Sequence, residues 1–194
     1  MGVEKRMADR CNTIRLYSFQ TDVVYQVLKR DGVCYSKEEY VRKKYKESAK
    51  VFINAYGWFV KEAQYIVPKP EGAEYPYWAF TDLYNVDQTG DGHVLTLDVP
   101  IGEAILFDMF DWTKIMQMHY IGENESEESA FSEELKNMGM NEFQIMTSNF
   151  YPEQKARIQE SWNRLFNHQQ AIEAGDNSGV HSVQAGLWCI KDEW

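Results

Sequence analysis

The sequence has few cysteines and no long apolar run, and each shortage excludes a class of protein. The three cysteines are Cys11, Cys34 and Cys189, and they form no Cys-x-x-Cys pair. An odd number without that spacing argues against a disulfide framework and predicts a reducing, cytoplasmic setting. No run of roughly 18 apolar residues occurs, so we expect no membrane span.

Positive charge is also scarce. The 20 Lys and Arg residues stand against 30 Asp and Glu residues, which gives a formal net charge of -10. This balance argues against a broad basic surface for duplex nucleic acid, although it leaves room for a small basic pocket. Acidic residues are concentrated in 123–134, so a partner with a basic surface is one interpretation of the composition.

Several common catalytic motifs are missing. The chain contains no Gly-x-Gly-x-x-Gly, Walker or Gly-x-Ser-x-Gly sequence, so we expect no conventional Rossmann, P-loop or serine hydrolase site. The histidines are scattered and no two stand at ligand spacing, which predicts no metal site. Cys34 has no nearby histidine in the sequence, so a thiol nucleophile is not expected either.

The residues that are present indicate one folded domain. Apolar residues make up 44% of the 194 positions and aromatic residues 14%, which is enough to form a core. Residues 1–12 are polar and are predicted to be a flexible lead. We expect a single domain over 13–194, with an acidic, solvated insertion at about 122–142.

The opening unit has the clearest pattern. A short strand over 14–19 precedes a helix that begins at Thr21 or Asp22 and ends at Asp31-Gly32. A second strand follows at 33–35. A long helix over 36–66 is then predicted, with a break either near 46–48 or near Gly57.

Later segments alternate between strand and helix patterns. Strands are predicted at 77–80, 94–99, 103–108 and 183–190, and helices at 112–120, around 128–138 and over 153–170. The order predicts an α+β fold.

Residues 87–98 allow two interpretations. They place oxygen-bearing side chains and a glycine at the spacing of a calcium-binding loop. However, Val94–Val99 has the alternation of a strand rather than the start of a helix. Asp91-Gly92 between two strand-like runs also indicates a hairpin turn, which the sequence favours.

Two polar residues lie inside otherwise apolar strands. Arg15 is either on the solvent face of a half-exposed strand or a clamp for a diphosphate. Gln184 is either solvent-facing or directed into a cleft. The aromatic cluster around Tyr77 and Trp78 is either core or a stacking platform for a nicotinamide or a base.

Five segments resemble a bacterial and phage family known only as a domain of unknown function. They are RLYSFQ (15–20), YPYWAF (75–80), the stretch from VLTLDVP to DMFDW (94–112), SWNRLF (161–166) and VQAGLW (183–188). Together they span nearly the whole chain. The family name implies no activity.

The first strand and helix, together with 94–108, also resemble ADP-ribosyltransferase domains of the DarT-like and RNA 2'-phosphotransferase branches. That resemblance implies a single-domain split sheet flanked by helices, with NAD as cofactor. It implies cofactor binding by Arg15, Gln20, Tyr77 and Trp78, and a catalytic position at Gln184. Gln184 departs from the family pattern, which has Glu there, so Asp82 or Asp108 is considered as a substitute acid.

Two functions remain open at this stage. The first is an NAD-dependent transferase that modifies a nucleic acid or protein acceptor, as in toxin–antitoxin or phage-defence systems. The second is a non-enzymatic acidic protein of phage type that mimics nucleic acid and binds a basic partner. A calcium-sensing module built on 87–98 is a third, weaker interpretation.

Overall fold

The computed structural model describes residues 12–39, 42 and 49–194. Within them the strands are β1 Thr13–Gln20, β2 Val33–Tyr35, β3 Tyr77–Phe80, β4 His93–Pro100, β5 Ile105–Asp108, β6 Val183–Leu187 and β7 Cys189–Lys191. The α-helices are α1 Asp22–Asp31, α2 Ala49–Ala63, α3 Met109–Met116, α4 Glu125–Asn137, α5 Glu142–Thr147, α6 Pro152–Ser161 and α7 Gln169–Glu173. Short 3-10 helices cover Leu83–Asn85, Ile101–Glu103 and Trp162–Phe166.

Five strands form an antiparallel sheet in the order β4-β1-β3-β6-β5. Strands β2 and β7 pair in a second, two-stranded sheet. Helices flank the sheets, so the predicted α+β class is confirmed. No helix in the described ranges is long and apolar enough to cross a membrane.

The two faces of the large sheet support separate cores, because side chains alternate along a strand. Trp78 and Phe107 point to one face and pack with Phe59 of α2. Tyr77 and Leu106, their neighbours in sequence, point to the other face and pack with α1 and α7. We call these the aromatic face and the aliphatic face.

The opening strand–helix–strand unit is confirmed. Gly32 ends α1 in the left-handed conformation with φ 74°, and its N–H donates to the Leu28 carbonyl at 2.8 Å. The sequence predicts β2 as a strand but does not predict its partner. In the structure β2 pairs with β7 and not with β1.

The predicted long helix is helical at residues 38, 39 and 42 and again from residue 49 onward. Gly57 lies inside α2, so a break at Gly57 is wrong. The other candidate break, at 46–48, lies outside the described residues, as do residues 1–11 of the predicted N-terminal lead.

The acidic segment is more than a solvated insertion. It forms α4, in which Phe131 and Leu135 are buried in the aromatic-face core. Because these two residues are four apart, they lie on one side of the helix, and the acidic residues occupy the others.

The predicted helix over 112–120 begins earlier. Asp108 accepts a hydrogen bond from the Phe110 N–H at 3.0 Å and so caps α3. The helix ends at Met116, and Met118 adopts a left-handed φ of 62° that cannot continue it.

In the C-terminal part, a predicted helix and a predicted strand are each divided into two elements. The helix over 153–170 changes after α6 into a 3-10 turn, which puts Trp162 and Leu165 on one buried side. The strand over 183–190 bends at Trp188, whose indole N–H donates to the Val67 carbonyl at 2.7 Å. This anchored bend carries the chain from the large sheet to the small one.

Candidate functional site

Arg15 and Gln184 point to the same face of the large sheet. Tyr17 is opposite Phe80 in the β1–β3 pair, and Phe80 is opposite Gln184 in the β3–β6 pair. Arg15 is two residues before Tyr17 and therefore shares its side. With strands about 4.8 Å apart, the Arg15 and Gln184 Cα atoms are roughly 12 Å apart. We call the surface formed by Arg15, Tyr17, Phe80 and Gln184 the candidate groove.

Gln184 is the most unusual residue of the candidate groove. Only 4% of its surface is exposed, yet its amide makes no hydrogen bond to another described residue. No fully enclosed side-chain nitrogen or oxygen in the described part lacks a partner, so the amide keeps some solvent contact. A nearly buried amide without a protein partner is costly, because its desolvation is not offset. Such an amide is well suited to bind a polar ligand.

Arg15 lies on the exposed edge of the candidate groove. Its Nε and one Nη donate to the two Asp98 carboxylate oxygens at 2.9 Å each, and its side chain is 61% exposed. Hydrogen bonding and charge from Arg15 lower the pKa of Asp98. Arg15 is therefore exposed on the surface of the sheet, and its role in binding a diphosphate stays a prediction. The second terminal nitrogen, Nη1, makes no hydrogen bond to a described residue and remains able to donate.

The two predicted aromatic cofactor residues lie on opposite faces of the sheet, and only Trp78, which is half-buried, is on the face of the candidate groove. Trp78 points to the aromatic face, where its indole N–H donates to the Tyr56 hydroxyl at 2.9 Å and its ring lies 4.8 Å from Trp112. Tyr77 points to the aliphatic face and contacts the Cys34 sulfur at 3.1 Å. Their shared strand therefore cannot present both rings to one ligand. Tyr17 and Phe80 are the half-buried rings of the candidate groove.

Gln20 also points away from the candidate groove. Its side-chain N–H donates to the Ser18 hydroxyl at 2.8 Å, which in turn donates to the Trp78 carbonyl at 2.7 Å. Ser18 and Gln20 are separated from Arg15 by odd numbers of residues, so they lie on the aliphatic side of β1. The structure thus brings together Arg15 and Gln184, but not Gln20.

The segment 87–98 is neither a hairpin turn nor a calcium loop. Strand β1 lies between β3 and β4, so Asp91-Gly92 does not join neighbouring strands. Asp98, which would be the last calcium ligand, is in the middle of β4 and pairs with Arg15. The described residues contain no group of three or more His, Cys, Asp or Glu side chains that could hold a metal ion.

Neither of the two substitute acids faces the candidate groove. Asp82 accepts a hydrogen bond from the Tyr84 N–H at 2.8 Å and caps a 3-10 turn. Asp108 is opposite Val183 at the end of β5, on the aliphatic side, and is almost fully buried.

Asp108 is instead part of a dyad that sequence reasoning missed. One of its oxygens contacts Nδ1 of His181 at 2.9 Å and accepts the His181 backbone N–H at 2.9 Å. The His181 ring is exposed and lies 5.1 Å from the Phe110 ring. The two partners are 73 positions apart, so no local spacing could reveal them. The one available signal was a helix-capping pattern at Asp108.

Residues 15–194 match the model of a family described as a domain of unknown function, DUF3841. The chain belongs to the DUF3841 family. This confirms the predicted resemblance to a domain-of-unknown-function family. No curated protein and no solved structure matches the chain.

The DUF3841 match contains every residue of the candidate site described above. It begins at Arg15 and includes the candidate groove, the Asp108–His181 dyad and both cores. Both features are thus parts of one family domain. The resemblance to ADP-ribosyltransferases stays a prediction.

Proposed function

We propose that this chain binds NAD in the candidate groove and transfers ADP-ribose from it to a nucleic acid or protein acceptor. The observation that carries the proposal is Gln184. Its amide is nearly buried, has no hydrogen-bond partner among the described residues, and lies on the same face as Arg15. A ligand that supplies both a hydroxyl and an anionic group would satisfy both residues, and NAD carries both.

The residues of the candidate groove have distinct roles in this proposal. Nη1 of Arg15 donates to the diphosphate, and the Gln184 amide bonds a ribose hydroxyl. Tyr17 and Phe80 lie on neighbouring strands between these two residues. Their half-buried rings can stack on a planar heterocycle, which is the role first expected of Tyr77 or Trp78.

The neutral side chain of Gln184 predicts a slow transfer of ADP-ribose. Gln184 is neutral, so it cannot stabilise by charge the cation that develops on the ribose when nicotinamide leaves. By register, Asp98 is a carboxylate on the same face, but it is bonded to Arg15. We therefore expect NAD binding to be easier to detect than transfer.

The test is calorimetric titration with NAD, followed by incubation with labelled NAD and RNA, DNA or cell lysate. Arg15→Ala and Gln184→Leu should each weaken NAD binding at least tenfold. Lys29→Ala is the matched control for Arg15, because Lys29 and Asp192 form a comparably exposed ion pair elsewhere. The proposal fails if NAD does not bind, or if both groove variants bind NAD as tightly as the control.

The alternative, an acidic protein that mimics nucleic acid, has less support. Its case depends on the acidic segment that forms α4. Four carboxylates of α4 are already paired, Glu127 with Arg164, Glu128 with Lys114, Glu133 with Lys136, and Glu134 with Arg157. Much of the negative charge is therefore neutralised within the protein. Capture of one stoichiometric basic partner, together with indifference to NAD, would favour this alternative.

A further inference from the structure

The indole N–H of Trp112 is, like the Gln184 amide, a nearly buried polar group. Only 5% of the Trp112 surface is exposed, yet its N–H makes no hydrogen bond to any residue that the structure describes. Trp162 and Trp188 are similarly buried, and each donates its indole N–H to a backbone carbonyl at 2.7 Å. The desolvation of the Trp112 N–H is thus not offset in the same way.

The Trp112 ring lies over strand β6. Its centroid is 4.8 Å from that of Trp78 and 6.2 Å from that of Phe107. These two rings come from β3 and β5, the strands on either side of β6. Trp78 is opposite Gly186, and Phe107 is opposite Gln184. A ring that packs against both must therefore lie above the part of β6 that carries Gln184.

The Trp112 N–H and the Gln184 amide both keep some contact with solvent. No fully enclosed side-chain nitrogen or oxygen in the described ranges lacks a hydrogen-bond partner, so neither group is sealed off. Around them, the same face carries the rings of Trp78, Phe80 and Phe107. A few polar groups among aromatic side chains are the usual lining of a small-molecule site.

We propose that the Trp112 indole N–H binds the carboxamide oxygen of nicotinamide when NAD occupies the candidate groove. This inference rests on the NAD-dependent function proposed above. An indole N–H donates and cannot accept, so it needs an acceptor on the ligand. Gln184 is assigned to the ribose on which the cation develops, and nicotinamide is joined directly to that ribose. The carbonyl oxygen of its carboxamide is the acceptor nearest to the reacting bond.

Trp112→Phe keeps an aromatic ring and removes the N–H, so it isolates the proposed hydrogen bond. It should weaken NAD binding about threefold to tenfold, which is the range expected for one hydrogen bond. An analogue in which pyridine replaces nicotinamide lacks the carboxamide, and its affinity should be the same for the variant and the wild type. The acetylpyridine analogue keeps the carbonyl oxygen but not the amino group, so it should respond to Trp112→Phe as NAD does.

Trp162→Phe is the matched control. Trp162 is also buried, but its indole N–H is bonded to the His119 carbonyl. The control should lower the free energy of unfolding in urea and leave the affinity for NAD unchanged. Trp112→Phe should show the larger effect on affinity, because its N–H is bonded to no described residue.

NMR spectra of the wild-type protein decide the question if Trp112→Phe does not fold. Addition of NAD should shift the indole proton resonance of Trp112 downfield and slow its exchange with solvent, because the N–H becomes hydrogen-bonded. The indole resonance of Trp162 should not move, since its N–H is already bonded in the free protein. An unchanged Trp112 resonance at saturating NAD would contradict the proposal.

The outcomes separate this inference from the proposed function. Absence of NAD binding overturns both. If Arg15→Ala and Gln184→Leu weaken NAD binding but Trp112→Phe does not, the role of Trp112 alone is overturned. If Trp112→Phe weakens the binding of NAD and of the pyridine analogue equally, the carboxamide is not the group that Trp112 binds.

Discussion

Arg15 and Asp98 lie directly opposite each other on β1 and β4, and two hydrogen bonds of 2.9 Å join their side chains. The pair is exposed, and it stands on the same face of the sheet as Gln184. Asp98 therefore competes with any anionic ligand for the Arg15 guanidinium. The strength of this competition can be measured directly.

Asp98→Asn should tighten NAD binding about twofold to fivefold, which is the range expected for one exposed ion pair. Asparagine keeps the shape of aspartate but removes the charge that holds the guanidinium. Calorimetry at low and high salt provides the measurement, and the gain should shrink as salt screens the charges. Asp192→Asn, from the exposed Lys29–Asp192 pair, is the control. An unchanged affinity in Asp98→Asn would argue against Arg15 as the diphosphate ligand.

Gln184→Leu should weaken NAD binding at least tenfold without loss of stability. The Gln184 amide has no hydrogen-bond partner among the described residues, so leucine leaves no group unsatisfied. Gln169 is the matched control, because it is equally buried but bonds the Leu106 N–H and the Ala104 carbonyl. Gln169→Leu should lower the free energy of unfolding by about 1–3 kcal/mol.

Urea denaturation of the two leucine variants, together with NAD titration, tests this contrast. Equal destabilisation of both variants would mean that Gln184 has a structural role like that of Gln169. Gln184→Glu is a further variant of interest, since it places a carboxylate where the proposed transfer chemistry would use a negative charge. It should speed NAD cleavage at some cost in stability, because a charge is then buried without a partner.

The sequence predicted local structure well where local rules decide it. Gly32 ends α1 because its left-handed φ suits glycine, and alternation marks β4. The order of the strands could not be predicted from the sequence, because the pairing of β2 with β7 depends on contacts between distant parts of the chain. In the candidate site, too, local sequence predicts some features, and others depend on contacts between distant residues.

Alternation alone shows that Tyr77 and Trp78 point to opposite faces. It does not show which of the two faces Arg15 shares, because that depends on the register between β1 and β3. The Asp108–His181 contact is a tertiary one, made when the turn before β6 meets the end of β5. Residue spacing carries no information about such a contact.

Asp108→Asn should lower stability most at neutral pH. The folded-state pKa of Asp108 is lowered, so its stabilising contribution is present above the unfolded pKa and is lost as pH falls through the folded one. At pH 7 we expect a loss of about 1–3 kcal/mol, because the amide N–H of asparagine cannot accept the backbone donors. The difference from wild type should narrow below about pH 4.

Chemical denaturation between pH 3 and pH 7 provides that comparison. Asp176→Asn is the control, because Asp176 also has a lowered pKa but its carboxylate, among the described residues, bonds only Ser178 in an exposed local turn. A constant difference between Asp108→Asn and wild type across this pH range would contradict an ionised, stabilising Asp108.

Gly186→Ala should destabilise the aromatic-face core. A Cβ at Gly186 would lie 2.8 Å from Cζ of Phe59 and 3.1 Å from its Cε1, both closer than van der Waals contact. Phe59 cannot retreat easily, because it is fully buried against Trp78 and Trp112. We expect the free energy of unfolding to fall by about 1–3 kcal/mol. Gly102→Ala, where a Cβ meets no atom within 4 Å, should change it by less than about 0.5 kcal/mol.

A double-mutant cycle identifies the cause of that loss. Phe59→Leu shortens the ring side chain and should make room for the new methyl group. The double variant Gly186→Ala with Phe59→Leu should then be more stable than the sum of the single changes predicts, by about 0.5–3 kcal/mol. Urea denaturation of the four proteins gives the coupling. Strict additivity would show that the methyl group is accommodated without displacing Phe59, and that another contact limits residue 186.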